Sequence, residues 1–187
     1  MKKLILGITV LSALLGGCES MSPSECATAD WRERGVSDGR QGQSDNAANY
    51  HESCAKAGVQ MDLNSYRAGR TQGLKSYCRL GNAIKEGLAG HSYNDVCPLP
   101  GSQSFKMLHA AAYRQQEAQK TLARLQDEQK RSEQELLDTK TPPNRKTVLR
   151  DQLLRSDRHM VDARNDLRDA QYQLERLRSD LRQQNQE

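Results

Sequence analysis

Every cysteine of the 187-residue chain lies at or before Cys97, and every glycine at or before Gly101. Residues 102–187 therefore have neither the cysteines nor the glycines that the first hundred positions are rich in. Two folding regimes share one chain. Hydrophobic residues make up 35% and aromatic residues 4%, too little apolar material for one large core filling the whole length. The fold class this implies is all-α, with a small disulfide-stapled helical head followed by a long antiparallel coiled-coil hairpin.

The second regime begins after Pro98 and Pro100, which end any preceding helix. Spacings of three and four residues link Leu108, Ala111, Gln115, Ala118, Leu122, Leu125, Gln129, Ser132 and Leu136 on one arm. The same spacing links Leu149, Leu153, Ser156, Met160, Ala163, Leu167, Ala170, Leu174, Leu177 and Leu181 on a second. A seven-residue period held over four or more heptads is a coiled-coil pattern. Thr141-Pro142-Pro143-Asn144 interrupts it, so residues 101–187 are predicted to fold back about a turn at 141–144. Pairing residues whose numbers sum to 285 sets Leu125 against Met160, Leu122 against Ala163 and Ala118 against Leu167, which keeps layer volumes even. The flanks then set Glu133 beside Arg150 and Glu128 beside His159. A parallel homodimer is the competing arrangement, with Gln115, Gln129 and Ser132 fixing its register.

The first regime, residues 26–100, reads as short helices. Ser24 is the expected cap of a first helix carried by Ala27 to Arg40 and ended by Gly42. A second runs from Asn46 to Lys56 and stops at Gly58, and a third starts at the cap Asp62 and runs to Cys78. Gly35 and Gly39 share one helical face, as do Gly69 and Gly73. Glycine costs ~1 kcal/mol at a helix-interior site relative to Ala, so the two pairs need a reason. Close helix crossing is the plain one. A groove lined by the glycine backbone, Asp38, Arg70 and Tyr77, with Trp31 and Tyr66 beside it, is the functional one.

Residues 1–17 pair Lys2 and Lys3 with an apolar run, Leu4 to Leu15, too short to span a bilayer. They are expected to form an export signal that is cleaved. Leu15-Gly16-Gly17-Cys18 resembles the lipoprotein box of bacterial secretion, which implies lipidation of Cys18 by a diacylglycerol and a further acyl chain. Two or more acyl chains hold a protein stably on a membrane, and residues 18–25 would form the lipidated N-terminus and linker. Glu19, instead of Asp, follows Cys18, so the expected location is the outer membrane, facing the periplasm. The partners expected are the membrane through the lipid and a protein through the coiled coil. Loss of Lys2 and Lys3 takes the net charge from +4 to +2, too small a footprint for nucleic acid.

Cys26, Cys54, Cys78 and Cys97 remain in an oxidising compartment, where two disulfides are expected. Four cysteines allow three connectivities. Cys26 to Cys54 with Cys78 to Cys97 is favoured, because each bridge then closes one helical hairpin or helix-plus-loop unit. Gaps of 28, 24 and 19 positions lack the short Cys-x-x-Cys clamp of structural zinc. Neither metal nor cofactor is expected, and no catalytic residue is assigned. The enzymatic alternative is a hydrolase around His51, near Cys54.

The motifs Asp30-Trp31-x-x-x-Gly35-x-x-Asp38-Gly39-x-x-Gly42, His51-x-x-Cys54, Tyr66-x-x-Gly69-x-x-x-Gly73-Leu74-x-x-Tyr77-Cys78 and Gly87-x-x-Gly90-x-x-Tyr93-x-x-x-Cys97-Pro98 together resemble a family of uncharacterised proteobacterial lipoproteins. That family is known as a domain of unknown function. The resemblance covers residues 26–98 and implies location, lipid anchor and cysteine-bridged architecture, with no catalytic residue to carry over. The function expected is an envelope scaffold or protein-interaction module working through the coiled coil. A small-ligand or glycan binding module using the glycine-faced head is the alternative.

Overall fold

The computed structural model describes residues 21–184, all of whose regular structure is helical. Seven helices follow in order: α1 (Pro23–Thr28), α2 (Trp31–Arg40), α3 (Ala47–Lys56), α4 (Leu63–Tyr77), α5 (Leu80–Leu88), α6 (Ser102–Leu137) and α7 (Pro143–Gln184). Among the described residues no helix is long and apolar enough to cross a membrane. The export signal at 1–17 and the lipidation site Cys18 lie outside the described residues.

Side-chain caps set most of the early boundaries. The Ser22 hydroxyl accepts from the Glu25 N–H at 3.3 Å while the Glu25 carboxylate accepts from the Ser22 N–H at 2.8 Å, a reciprocal capping box. The cap is therefore Ser22 and not Ser24, and the segment 18–25, read as linker, is helical from Pro23, with Met21 buried beside it. The expected helix from Ala27 to Arg40 is broken in two. Asp30 accepts from the Glu33 N–H at 2.9 Å, and a short polar side chain that competes for backbone donors starts a new helix there. Asp62 caps α4 in the same way through the Ser65 N–H at 3.0 Å. Gly42 and Gly58 take positive φ, 64° and 71°, just past the ends of α2 and α3.

The two glycine pairs resolve into a backbone-on-backbone crossing of α2 and α4. A Cβ on Gly35 would meet the Tyr66 carbonyl oxygen and stand 2.8 Å from the Arg70 nitrogen. One on Gly73 would meet the Val36 carbonyl and stand 2.7 Å from the Arg40 nitrogen. Gly87 of α5, which the sequence reading left outside any helix, makes a second such crossing. A Cβ there would stand 2.9 Å from the Tyr113 nitrogen of α6.

Cys26–Cys54 ties α1 to α3 and Cys78–Cys97 ties the end of α4 to the loop at 89–101, with Cα separations of 5.4 and 5.6 Å. Loops of these sequence separations, 28 and 19 residues, are each stabilised by ~3–4 kcal/mol in the chain-entropy picture. Cys26→Ala/Cys54→Ala should accordingly lower the melting temperature of the single tryptophan's emission by more than 10 °C for a unit this small. An unchanged melt would show that the bridge is dispensable.

Two cores result. The first gathers Met21, Cys26, Trp31, Tyr50, Cys54, Met61 and Tyr66 from α1–α4 and their flanks. The second joins Tyr77, Ala83 and Cys97 to Phe105, Leu108 and Ala112 of α6 and to Leu174 and Leu181 of α7. Pro98 and Pro100 end no helix, since α5 already stops at Leu88, and the second core runs across them from α4 and α5 to α6 and α7. A head closing at residue 100 is not how the apolar contacts divide.

α6 and α7 lie side by side in opposite directions. Arg114 donates to Gln173 at 2.8 Å and Gln129 to Asp157 at 3.0 Å. These pairs have residue numbers summing to 287 and 286. Leu149, Met160, Ala163, Ala170, Leu174 and Leu181 of α7 are buried, and Ala118, Leu122 and Leu125 of α6 are half-buried. The connection differs from the expected turn at 141–144: residues 138–142 form it, and Pro143 opens α7, where its missing N–H costs nothing. Across the turn Arg145 donates twice to Glu135, both at 2.7 Å, and this holds the Glu135 carboxyl below its usual range. Glu128 pairs with Arg124 of its own helix at 2.9 Å.

Candidate functional site

Four of the five residues expected to line a groove are packing residues. Trp31, Asp38, Tyr66 and Tyr77 are buried, and the glycines between them are covered by the partner helix. Trp31 and Tyr66 belong to the first core and Tyr77 to the second. Arg70 is half-buried, and the four others are taken up by packing, being among the few large or polar groups these small cores are built around.

Asp38, 3% exposed, is the polar centre of this region. Its Oδ2 accepts from the Tyr50 hydroxyl at 3.0 Å and from the Tyr66 hydroxyl at 2.9 Å. The Tyr66 oxygen also accepts from the Asn46 N–H at 3.3 Å. Arg70 donates to the Gln43 carbonyl at 2.8 Å, and the Arg34 guanidinium lies 5.4 Å from the Tyr50 ring centre. A buried carboxylate is tolerated when donors surround it. Here two phenols from α3 and α4 converge on one oxygen of α2, so Asp38 clasps three helices. Tyr50 was not foreseen, although Ala47, Tyr50 and Cys54 form an apolar stripe that marks it as inward-facing.

Burial, and then the bond to Asp38, push the Tyr50 and Tyr66 hydroxyls above the ordinary tyrosine value; burial does the same for Tyr77. The folded state therefore holds protons that the unfolded chain releases above pH ~10. Stability from these groups is complete below that pH and falls as pH rises past it. The melting temperature should decline between pH 9.5 and 11 in steps that Tyr50→Phe reduces. A flat profile would contradict the assignment.

His51 is exposed on α3, and Cys54 is bridged to Cys26. A bridged sulfur is not available as a thiolate, so these two do not form a nucleophilic pair.

The surface that does stand out is on α7. Leu154, Val161 and Tyr172 are 66%, 53% and 68% exposed. Steps of seven and eleven residues return to nearly the same side of a helix, so the three share one side of α7, with Asn165 and Arg168, bonded to each other at 2.9 Å, lying between Val161 and Tyr172. This side faces away from the one occupied by Met160, Ala163 and Leu174, and the three span ~27 Å at 1.5 Å per residue. Asp157, Arg158 and Glu175, all exposed, flank them. Single apolar residues are ordinary on a surface; these three are set apart by sharing one side of the helix. The sequence reading followed the inward positions of the arm and so passed over this outer stripe.

No curated protein and no solved structure matches the chain. Residues 30–114, from the cap of α2 through Tyr113 and the first third of α6, match a family described as a protein of unknown function, DUF2799.

Proposed function

We propose that this protein is a lipid-anchored component of the bacterial envelope, and that the α6–α7 pair, packed as an antiparallel coiled coil, is its interaction arm for another protein. The observation that carries the reading is the Leu154–Val161–Tyr172 stripe, which the fold itself leaves unused. Anchoring rests on the basic start, the apolar run and the box at Cys18. Three residues reach at most ~10 Å, so a lipid on Cys18 would hold Met21, and with it the first core, against the membrane surface. The outer membrane, facing the periplasm, is the location this reading assigns. The glycan-binding alternative loses its original seat, since the glycine faces are covered.

Two experiments test the reading. Cys18→Ala should leave an unprocessed precursor, while the wild type fractionates with membranes and carries acyl mass on Cys18. Wild-type protein free in the periplasm without acyl mass would defeat the anchor. Thr121 and Asp166 line one cleft between α6 and α7, so cysteines at both should join within a single chain. A crosslink formed between chains would establish the parallel dimer instead.

A further inference from the structure

Beyond the protein-binding arm, the structure contains a cleft where the loop at 89–101 meets the start of α6. It is a shallow, widely open depression of about 340 Å³ lined by Ser92, Tyr93, Asp95, Lys106, His109 and Tyr113. The volume is inside the range of about 300–1,000 Å³ that small-molecule sites occupy.

Its aromatic side is a ladder whose accessible rungs are Tyr93 and Tyr113, both half-buried, with Phe105 and His109 buried behind them. The Tyr93 ring lies 4.8 Å from Phe105 and 5.6 Å from His109, and Tyr113 stacks on His109 one turn further along α6, at 6.2 Å and 20°. The ladder is held from behind. The Tyr93 oxygen accepts from the Cys97 N–H at 3.1 Å, His109 Nε2 is 2.9 Å from the His91 carbonyl oxygen, and the Cys78–Cys97 bridge ties down the loop. Rings fixed in this way lose little freedom when something is laid on them.

The other side is polar and carries no net charge. Lys106 Nζ donates to both oxygens of Asp95, at 3.0 and 3.2 Å, and Ser92 is also in the lining. Asp95 adopts φ 52°, an uncommon backbone for a residue other than glycine.

We infer that this cleft binds a pyranose ring of a glycan. A pyranose has an apolar C–H face that packs on aromatic rings and a rim of hydroxyls that both donate and accept, and the cleft offers those two surfaces side by side. A phosphate-bearing ligand would need cationic charge left uncompensated, and Lys106 is neutralised by Asp95. A purely aliphatic ligand would strip water from the ion pair without replacing its hydrogen bonds. The site is independent of the Leu154–Val161–Tyr172 stripe, so its success or failure leaves the protein-binding arm untouched.

The test is titration of the full mature chain with tetra-N-acetylchitotetraose and with maltotetraose, followed by calorimetry and by amide shifts. At least one should bind saturably, moving the amides of residues 92–95 and 106–113 while the emission of Trp31 stays constant. Tyr113→Ala should weaken that binding at least tenfold; should this variant lose helicity, Lys106→Met, an exposed substitution, takes its place with the same expectation. Binding of neither saccharide up to ~10 mM, far weaker than specific recognition, would overturn the inference. So would binding that the variant leaves unchanged.

Discussion

Gly69→Val should cost the first core most of its stability, on the order of 3 kcal/mol or more. A Cβ at this position would meet the Arg32 carbonyl oxygen and stand 2.9 Å from its carbonyl carbon. The obstructing atoms belong to helix backbone and have no rotamer to move into, so α2 and α4 must separate along the whole crossing. Separation in turn pulls Tyr66 away from Asp38, because α4 carries Tyr66 and α2 carries Asp38, and a bond of 2.9 Å does not survive such a shift. The chain has one tryptophan, Trp31, and it sits in this core, so its emission should move to longer wavelength. Gly81→Ala is the matched control. Nothing stands within 4 Å of a Cβ there, and removing a glycine from α5 should stabilise the protein by up to ~1 kcal/mol. Equal effects of the two substitutions would refute the crossing.

Leu174→Asp should have an effect of similar size in a different place. Leu174 lies in the second core with Phe105, Leu108 and Ala112. A carboxylate there has no cationic partner among those residues, and a buried unpaired charge costs several kcal/mol. The far ends of α6 and α7 should part from α5, with loss of far-UV helicity, while Trp31 emission stays as in the wild type. Each core then reports separately. If Trp31 responded equally to both variants, the two cores would be one cooperative unit.

The contrast between these variants shows where the sequence was readable. Caps and breakers act within three or four residues, so Gly42, Gly58 and Asp62 marked boundaries that the structure keeps. The all-α class followed from the caps and breakers of the first hundred residues and the three- and four-residue spacing of the rest, and the two cysteine pairs are the ones that closing one local unit per bridge favoured. What failed depends on distant partners or on competition between neighbours. Ser24 and Ser22 are both good caps, and Glu25 decides for Ser22 by bonding back to it. Helix α5 was missed because Gly81 and Gly87 lower its intrinsic helicity; contact with α6 repays that deficit, Gly87 being the point of closest approach. The binding surface was assigned to Trp31, Tyr66 and Tyr77 for the same property that removes them from the surface. In a chain with one Trp, one Phe and six Tyr, Trp31, Tyr50, Tyr66, Tyr77 and Phe105 are what the small cores are made from.

The apolar stripe of α7 has the opposite history: it lies outside the inward-facing pattern and becomes visible once that pattern has found its partners. The proposed role of the arm therefore stands or falls on what touches this stripe in the envelope. A photo-crosslinking amino acid at Val161, in the lipid-anchored protein in intact cells, tests this most directly. The account predicts one discrete adduct with a protein other than this chain, lost when Leu154→Asp or Tyr172→Asp is added and absent from the same probe placed at Arg131 of α6. An adduct with a second copy of the chain alone, or equal labelling from Val161 and Arg131, would contradict it.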